Sequence, residues 1–228
     1  MKPAWIMLRW RMDNVFFSDL IKAFGETFYM VGIALALSII IGVPLGLLLY
    51  VTDKGLFAEN RLVNVIGGLA INVVRSTPFV ILLVLVLPLT QKLIGTTIGP
   101  IAAAVPLSIA SVAFYARLVQ GSLWEVDKGV IEAAVSMGAS PWMIIKDVLL
   151  SESLPGLLRG LTITAVSLIG YSAMAGIVGG GGVGDLAIRF GYYRYQTDVM
   201  LLTVVILVLL VQLVQSIGDY SAKKYERL

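Results

Sequence analysis

Few side chains in this sequence could carry out catalysis. Its 228 residues include no histidine and no cysteine. Serine–histidine and cysteine–histidine catalysis, zinc sites built on those residue types and thiol redox chemistry are therefore excluded. The sequence also lacks a G-x-x-x-x-G-K-[ST] phosphate-binding loop, so the chain is not expected to bind ATP in that manner. Energy for any active process must come from a partner subunit or an ion gradient.

A glycine-rich segment, GGGGVGD, covers residues 179–185. It is a weak candidate for a phosphate cradle, because no strand precedes it and it follows an apolar segment instead. Its G-x-G-D end resembles the motif of intramembrane aspartyl proteases, which divide acid and base work between two aspartates in adjacent spans. No predicted span holds a second one, since the other aspartates in this half of the chain lie in loops or at span ends: Asp147, Asp198 and Asp219. We predict a packed or flexible turn, with structural roles for Gly182 and Gly184 and no catalytic or metal-binding residue.

The composition indicates a membrane protein. Hydrophobic residues make up 58% of the chain and charged residues 14%, against about 45–50% and about 25% in soluble domains. One core of this size cannot bury such a surplus of apolar side chains, so lipid must solvate much of it. The net charge of +3 fits a bias of basic residues in loops better than nucleic-acid binding. The predicted fold is an all-α integral membrane protein with a single transmembrane domain, residues 1–228.

Five transmembrane helices are predicted from apolar segments long enough to cross a bilayer. Arg75 interrupts one of these segments, residues 61–89. A bare arginine at the bilayer centre costs about 2.5–3.5 kcal/mol, so we place Arg75 at the membrane face. Residues 62–74 then lie in the interface or against other helices, and Pro78 lies in the first turn of the span. The predicted spans are residues 28–50, 77–94, 98–118, 157–178 and 199–218.

The basic residues predict the orientation of the chain. More of the 17 Lys and Arg residues fall on the side of the C-terminus than on the opposite side, and basic residues prefer the cytoplasm. Five spans then place the N-terminus outside and the C-terminus in the cytoplasm. The basic N-terminal segment opposes this assignment, and residues 5–24 are predicted to form an amphipathic element on the outer surface.

The segment between the third and fourth spans, residues 122–153, is predicted to lie outside the membrane. Asp127 can cap a short helix over residues 128–137. Gly138 can end that helix, because glycine adopts the left-handed conformation at low cost. A short helix with an apolar face and one carboxylate suits docking into a groove of another protein. An amphipathic surface loop without a partner is the alternative.

A second short helix is predicted to follow in the same segment. Ser140 can cap it, with Pro141 at its first position. Ser153 is predicted to cap the fourth span, with Pro155 in its first turn. Three apolar residues of the second helix are expected to form one stripe: Trp142, Ile145 and Leu149.

The sequence EAAVSMG, Glu132 to Gly138, resembles the EAA signature of the permease subunits of bacterial ABC importers. That signature reads E-A-A, three residues and G, and continues to an I-x-L-P segment. This chain has Ser151 where the proline is expected. Together with EAAVSMG, three further segments make nearly the whole chain similar to methionine-importer permeases: VRSTPFVILLVLVLP, LPGLLRGLTITAVSLIGYSAMAG and GGGGVGDLAIRFGY.

The resemblance implies a permease that imports methionine, in the L and D forms, across the bacterial inner membrane by alternating access. It implies a homodimer that works with two separate ATPase subunits and a periplasmic methionine-binding lipoprotein. The chain itself would bind no cofactor, since ATP and Mg²⁺ would be held by the ATPase; it would contact lipid and no nucleic acid. Residues 122–153 would be a coupling loop that touches the ATPase through Glu132, Ala133, Ala134, Gly138, Ala139 and Ser140.

The polar end of the fourth span, IGYSAMAG, is a candidate for lining the translocation path. Tyr171, Ser172 and Met174 are the residues expected there. The small residues beside them would let two such helices approach each other across a dimer axis. Packing between helices is the alternative role for Met174.

An ion-coupled secondary transporter of small amino acids is the second functional hypothesis. Such a protein is expected to hold a buried carboxylate or an inverted repeat. No predicted span carries an acidic residue near its middle, and five spans do not divide into equal halves. An importer permease that is not itself an enzyme is therefore the favoured hypothesis.

Overall fold

The computed structural model describes residues 4–56 and 58–226, with side chains for residues 17–56 and 58–225. Within these ranges every regular element is helical, which confirms the predicted all-α fold. Four helices are long and apolar enough to cross a membrane, and a bent pair makes a fifth if it counts as one span. The helices are α1 (Ala4–Leu37), α2 (Val43–Val51), α3 (Arg61–Ser76), α4 (Phe79–Ile94), α5 (Pro100–Trp124), α6 (Lys128–Ser136), α7 (Pro141–Met143), α8 (Leu150–Glu152), α9 (Leu154–Ala175), α10 (Gly182–Leu186) and α11 (Thr197–Glu226).

Helix α1 continues into α2 through one wide helical turn at Ser38–Gly42. Pro44 follows this turn and has no N–H to donate, and a widened turn relieves the clash between its ring and the preceding carbonyl. Gly46 allows α2 to lie directly on α5, because a Cβ there would come within 2.5 Å of the Ala116 carbonyl oxygen. The first membrane helix is thus fitted to α5 by backbone contact.

The predicted amphipathic element at residues 5–24 is part of this same helix. Its backbone is helical from Ala4 and runs on into the candidate span Phe17–Val51, so a separate surface element is not formed. The side chains of residues 5–16 lie outside the described residues. At about 1.5 Å per residue, the 35 residues of this span exceed a hydrocarbon layer of about 30 Å, so the helix is oblique or projects beyond the layer.

Helices α3 and α4 form the bent pair, with 112° between them. Asn60 caps α3 by accepting hydrogen bonds from the Leu62 and Val63 amides, both at 3.1 Å. Pro78 stands immediately before α4 and not in its first turn, and its carbonyl accepts from the Ile81 and Leu82 amides. Because proline lacks an N–H and disfavours helix at the preceding residue, the chain can turn sharply at this point.

Helix α5 is the centre of the bundle and packs against α1, α2, α3, α4 and α9. Close approach between α5 and α9 depends on small residues. A Cβ at Gly156 would lie 2.7 Å from Ser122 Oγ, and one at Gly160 would lie 3.2 Å from Leu118 Cβ. Helix α11 packs on α9 but only 6% of its most apolar window is buried, so most of its surface is available to lipid.

Candidate functional site

Helix α6 of the coupling loop has the ends that local sequence signals predicted. Asp127 Oδ1 accepts a hydrogen bond from the Gly129 amide at 2.6 Å. Gly138 has a φ of +81°, a left-handed conformation that glycine adopts most readily. The Gly138 amide donates to the Val135 carbonyl and the Ala139 amide to the Ala134 carbonyl, which closes the helix in a Schellman motif. The loop therefore turns at a fixed angle after Ser136.

The second helix begins as predicted, but its buried stripe differs. Ser140 Oγ accepts from the Met143 amide at 3.4 Å, and Pro141 occupies the first turn. Trp142 is 68% exposed, whereas Ile144 and Leu149 are buried, so the predicted stripe through Trp142 is wrong. Residues 144–149 form a wide helical turn, and its i to i+5 spacing places Ile144 and Leu149 on the same side.

The coupling loop is anchored to the membrane helices by a hydrophobic cluster. Ala134, Ile144 and Leu149 share this cluster with buried residues of α2 and α5, and with Leu157 at the start of α9: Tyr50, Tyr115, Val119 and Leu123. Tyr115 also donates a hydrogen bond through its hydroxyl to the Leu157 carbonyl at 3.2 Å. Because packed interiors transmit displacements instead of absorbing them, a movement of the loop is carried into α5 and α9.

The outer face of the loop is left uncovered by the residues that the structure describes. Glu132 and Ala133 are exposed on it, whereas Ala134 is only 6% exposed and faces the hydrophobic cluster. Among the described residues, the Glu132 carboxylate has no hydrogen-bond or ion-pair partner. The loop also exposes five large apolar side chains: Val130, Val135, Met137, Trp142 and Met143. Large apolar side chains that stay exposed outside a membrane span are candidates for contact with another protein.

Met137 and Met143 are surface residues that sequence reasoning did not select, and it placed Trp142 only in an apolar stripe with Ile145 and Leu149. Met137 is 82% exposed at the C-terminal cap of α6. Methionine and tryptophan are typical of contact surfaces because they offer adaptable or large apolar areas. The available signal was their position next to helix caps, where no core stripe requires an apolar side chain.

Ser153 does not cap the fourth span as predicted. Its backbone is helical and its hydroxyl makes no capping bond, because α8 leads almost directly into α9. The Ser153 hydroxyl oxygen is fully buried and has no hydrogen-bond partner among the described atoms. Pro155, by contrast, lies in the first turn of α9 as expected.

We expect Ser153→Ala to stabilise the protein. The substitution removes a buried hydroxyl whose lost hydration costs about 1–3 kcal/mol, so the free energy of unfolding should rise by about 1 kcal/mol. Thermal unfolding of the purified protein measures the change. Ser151→Ala removes an exposed hydroxyl two residues earlier and should leave the stability unchanged. A fall in stability for Ser153→Ala would mean that this hydroxyl has a partner.

The glycine-rich turn is tightly packed, in agreement with one of the two forms predicted for it. A Cβ at Gly184 would come within 2.3 Å of Ala173 Cα, and one at Gly182 would come within 2.6 Å of Thr27 Oγ1. The turn therefore presses on the end of α9 and on α1. Asp185, the aspartate of the G-x-G-D segment, pairs with Arg189 at 2.8 Å.

Two side chains of α1 hold this turn. Glu26 Oε2 accepts from the Gly182 amide at 2.8 Å, and Thr27 Oγ1 accepts from the Val183 amide at 3.0 Å. These amides are the first two of α10, so the acceptors of one helix cap another. The candidate span that contains α1 begins at Phe17 and so includes Glu26, whereas the first span predicted from the sequence begins at residue 28.

The three residues expected along the translocation path face different surroundings. Tyr171 stacks on Phe79, with ring centroids 4.6 Å apart and planes 11° apart. Ser172 is 2% exposed, and its hydroxyl donates to the Ile169 carbonyl of its own helix at 2.7 Å. Met174 is 43% exposed. Of the three, Tyr171 and Met174 have surfaces that a substrate could reach.

Tyr171 also lines a cavity of about 130 Å³ at the bend between α3 and α4. Arg75 and Thr77 line it from the bend, and Ala110 and Phe114 line it from α5. Ala110 and Phe114 lie near the middle of α5, a candidate membrane span. Arg75 thus lies beside the middle of α5, because the 112° bend brings the end of α3 against α5. Its position at the membrane face stays a prediction.

Comparison with known proteins identifies the family. The family described as "Binding-protein-dependent transport system inner membrane component" matches residues 39–227. The chain belongs to this family. Its members are inner-membrane components of transport systems, so the chain is a transport permease of the inner membrane. The matched residues include the whole coupling loop, the glycine-rich turn and the cavity at the α3–α4 bend.

Individual members of this permease family are similar over most of the chain. The "Probable D-methionine transport system permease protein MetI" of Vibrio cholerae is 49% identical over 91% of this chain and 92% of that protein. The "Methionine import system permease protein MetP" of Bacillus subtilis is 48% identical over 90% and 93%. A solved structure described as inward-facing conformations of the MetNI methionine ABC transporter matches with a TM-score of 0.88 and 42% identity, covering 91% of this chain and 96% of that one.

Proposed function

We propose that this permease is the transmembrane subunit of an ATP-driven methionine importer, and that it accepts both the L and D forms. Relatives at 48–49% identity carry methionine or D-methionine transport in their names. The similar solved structure is that of a methionine ABC transporter. In this proposal two copies of the chain form a homodimer, two ATPase subunits bind to it, and a periplasmic methionine-binding lipoprotein delivers the substrate.

The proposal that an ATPase docks on the coupling loop rests on the outer face of this loop. The loop exposes one carboxylate that has no partner among the described residues, and it also exposes several large apolar side chains. Short helices with apolar anchors dock into grooves of partner proteins. Among the predicted contact residues, Glu132, Ala133, Gly138 and Ser140 are exposed and Ala139 is half-buried, whereas Ala134 supports the loop from inside.

Energy passes through the loop into the membrane helices in this mechanism. ATP and Mg²⁺ bind to the partner ATPase, and closure of two ATPase subunits brings the two coupling loops together. The hydrophobic cluster under each loop moves with it, and α5 and α9 follow. Rigid-body rotation of the two permease copies then alternates access between the two sides of the membrane. In this arrangement the C-terminus is cytoplasmic, on the side of the loop, and the N-terminus is outside.

Uptake of labelled methionine into proteoliposomes tests this function. The vesicles contain this permease, an ATPase and a binding protein encoded beside it, with ATP on the side of the coupling loop. ATP-dependent accumulation of L- and D-methionine is the expected result. Uptake of a different amino acid would refute methionine as the substrate. Uptake that follows an ion gradient without ATP would refute the ATP-driven importer.

The ion-coupled secondary transporter is not favoured by the carboxylates of the structure. Two carboxylates lie in the candidate span of α1, Asp19 near its start and Glu26 further in. Glu26 is bound to the Gly182 amide. It also lies 3.9 Å from the Lys22 ammonium. A carboxylate committed to holding two elements together is poorly suited to cyclic binding and release of a cation.

A further inference from the structure

The Arg75 side chain is the least explained charge in the membrane region. It is exposed, and it forms no hydrogen bond or ion pair with the other described residues. Its cavity neighbours Ala110 and Phe114 lie near the middle of α5. On either side of it along the chain, Val74 packs near Ala113 and Phe79 packs in the cluster that includes Leu107. These contacts place Arg75 beside the middle of α5, a candidate membrane span.

An unpaired arginine at this depth cannot face hydrocarbon cheaply. Transfer of arginine to the centre of a span costs about 2.5–3.5 kcal/mol on insertion scales, and such residues face water-filled paths or binding partners. The exposed side of Arg75 is therefore expected to face the aqueous path that two permease copies enclose. A cation that lines a substrate path binds the anionic part of the substrate.

The surroundings of Arg75 match an amino acid with an apolar side chain. Tyr171 lines the same cavity of about 130 Å³, and its hydroxyl, like Arg75, has no hydrogen-bond partner among the described residues. Stacked rings of Phe79 and Tyr171 form an apolar wall, and Phe114 adds a second one. Guanidinium groups bind carboxylates with two parallel hydrogen bonds, while sulfur-containing side chains pack favourably on aromatic rings.

We propose that Arg75 and the Tyr171 hydroxyl bind the carboxylate of the transported amino acid within the membrane, and that the aromatic walls receive its apolar side chain. This inference rests on the proposed function, because it requires an amino-acid substrate and a path between two copies. It gives the permease a selective site of its own, in addition to the selection made by the binding protein.

Substitution of Arg75 tests the site in the reconstituted complex. Arg75→Gln should lower methionine uptake per ATP hydrolysed by about tenfold to a hundredfold, as expected for the loss of a charge-assisted hydrogen bond. Arg75→Lys should be intermediate, because it keeps the charge and loses the bidentate geometry. Tyr171→Phe keeps the stacked ring and should lower the ratio roughly two- to tenfold. Lys92→Gln removes an exposed charge from the last turn of α4 and should match the wild type.

Transport per ATP separates a substrate contact from a structural role. A purely structural Arg75 would reduce assembly and ATP hydrolysis together, without lowering the ratio. Equal ratios for Arg75→Gln and Lys92→Gln would overturn the inference while leaving the methionine importer intact. Failure of the wild-type complex to take up methionine would instead refute the proposed function. If the Arg75→Gln variant does not assemble, Arg75→Lys and Tyr171→Phe test the site instead. A wild-type ratio of methionine transported to ATP hydrolysed in both variants would overturn the proposed carboxylate-binding site.

Discussion

Glu132→Ala is expected to reduce ATP-driven methionine uptake by more than about tenfold while the permease stays folded. Removing one partner of a charge pair buried in an interface costs about 2–5 kcal/mol, and the Glu132 carboxylate is exposed and has no partner among the described residues of this chain. Alanine is a good helix former, and an exposed substitution of this kind changes stability by less than about 0.5 kcal/mol. Uptake into proteoliposomes and thermal unfolding of the purified permease measure the two effects separately.

Glu152→Ala is the matched control for this substitution. Glu152 is also an exposed carboxylate of the coupling loop, but it lies in α8 and outside the EAA segment. It should retain most of the uptake. Equal uptake by the two variants would show that the loop does not use Glu132 to bind the ATPase, whereas unfolding of Glu132→Ala would assign it a structural role.

Gly184→Ala is expected to destabilise the permease by about 1–3 kcal/mol, the usual cost of overpacking. The new Cβ would lie 2.3 Å from Ala173 Cα and 2.5 Å from the Ala173 carbonyl oxygen. Both contacts are with backbone, so α10 or the end of α9 must move. Because backbone cannot move aside as a flexible side chain can, the cost should lie at the upper end of this range and exceed the gain of about 1 kcal/mol that alanine usually brings to a helix over glycine. The change is measured by heating the purified protein and using gel filtration to determine the fraction that stays monodisperse.

Gly32→Ala provides the comparison, because a Cβ at Gly32 in α1 meets no atom within 4 Å. Its stability should stay the same or rise by up to about 1 kcal/mol. A Gly184→Ala variant as stable as Gly32→Ala would show that the glycine-rich turn is not packed against α9. Gly184→Ala should also slow transport, because the displaced segment carries Tyr171 and Met174.

Local signals predicted the parts of the candidate site that local interactions build. Asp127, Gly138 and Ser140 bond to backbone groups within a few residues, so their roles could be read from residue type and spacing. The EAA segment was recognised in the same way. The all-α membrane fold followed from composition and the lengths of apolar segments, which depend little on how the helices pack.

The errors in the sequence analysis concern features that tertiary packing decides. Ser153 does not cap α9, because its backbone stays helical between α8 and α9. Ile144 replaces Trp142 in the buried stripe, because a wide turn shifts the helical register. The position of Arg75 beside the middle of α5 was not foreseen, because a 112° bend depends on contacts with α5 and not on residue spacing. Glu26 and Thr27 were not selected, since their partners are 156 residues away in the sequence.

That separation of 156 residues has a consequence for biosynthesis. At about 5–20 residues per second, the ribosome completes Glu26 roughly eight to thirty seconds before Gly182. The first helix therefore enters the bilayer with a carboxylate that lacks its amide partner, and it must wait beside the translocation machinery or tolerate a misplaced charge. The hydrogen bond between Glu26 and the glycine-rich turn forms late. It can form only after nearly the whole chain has been inserted in the correct order.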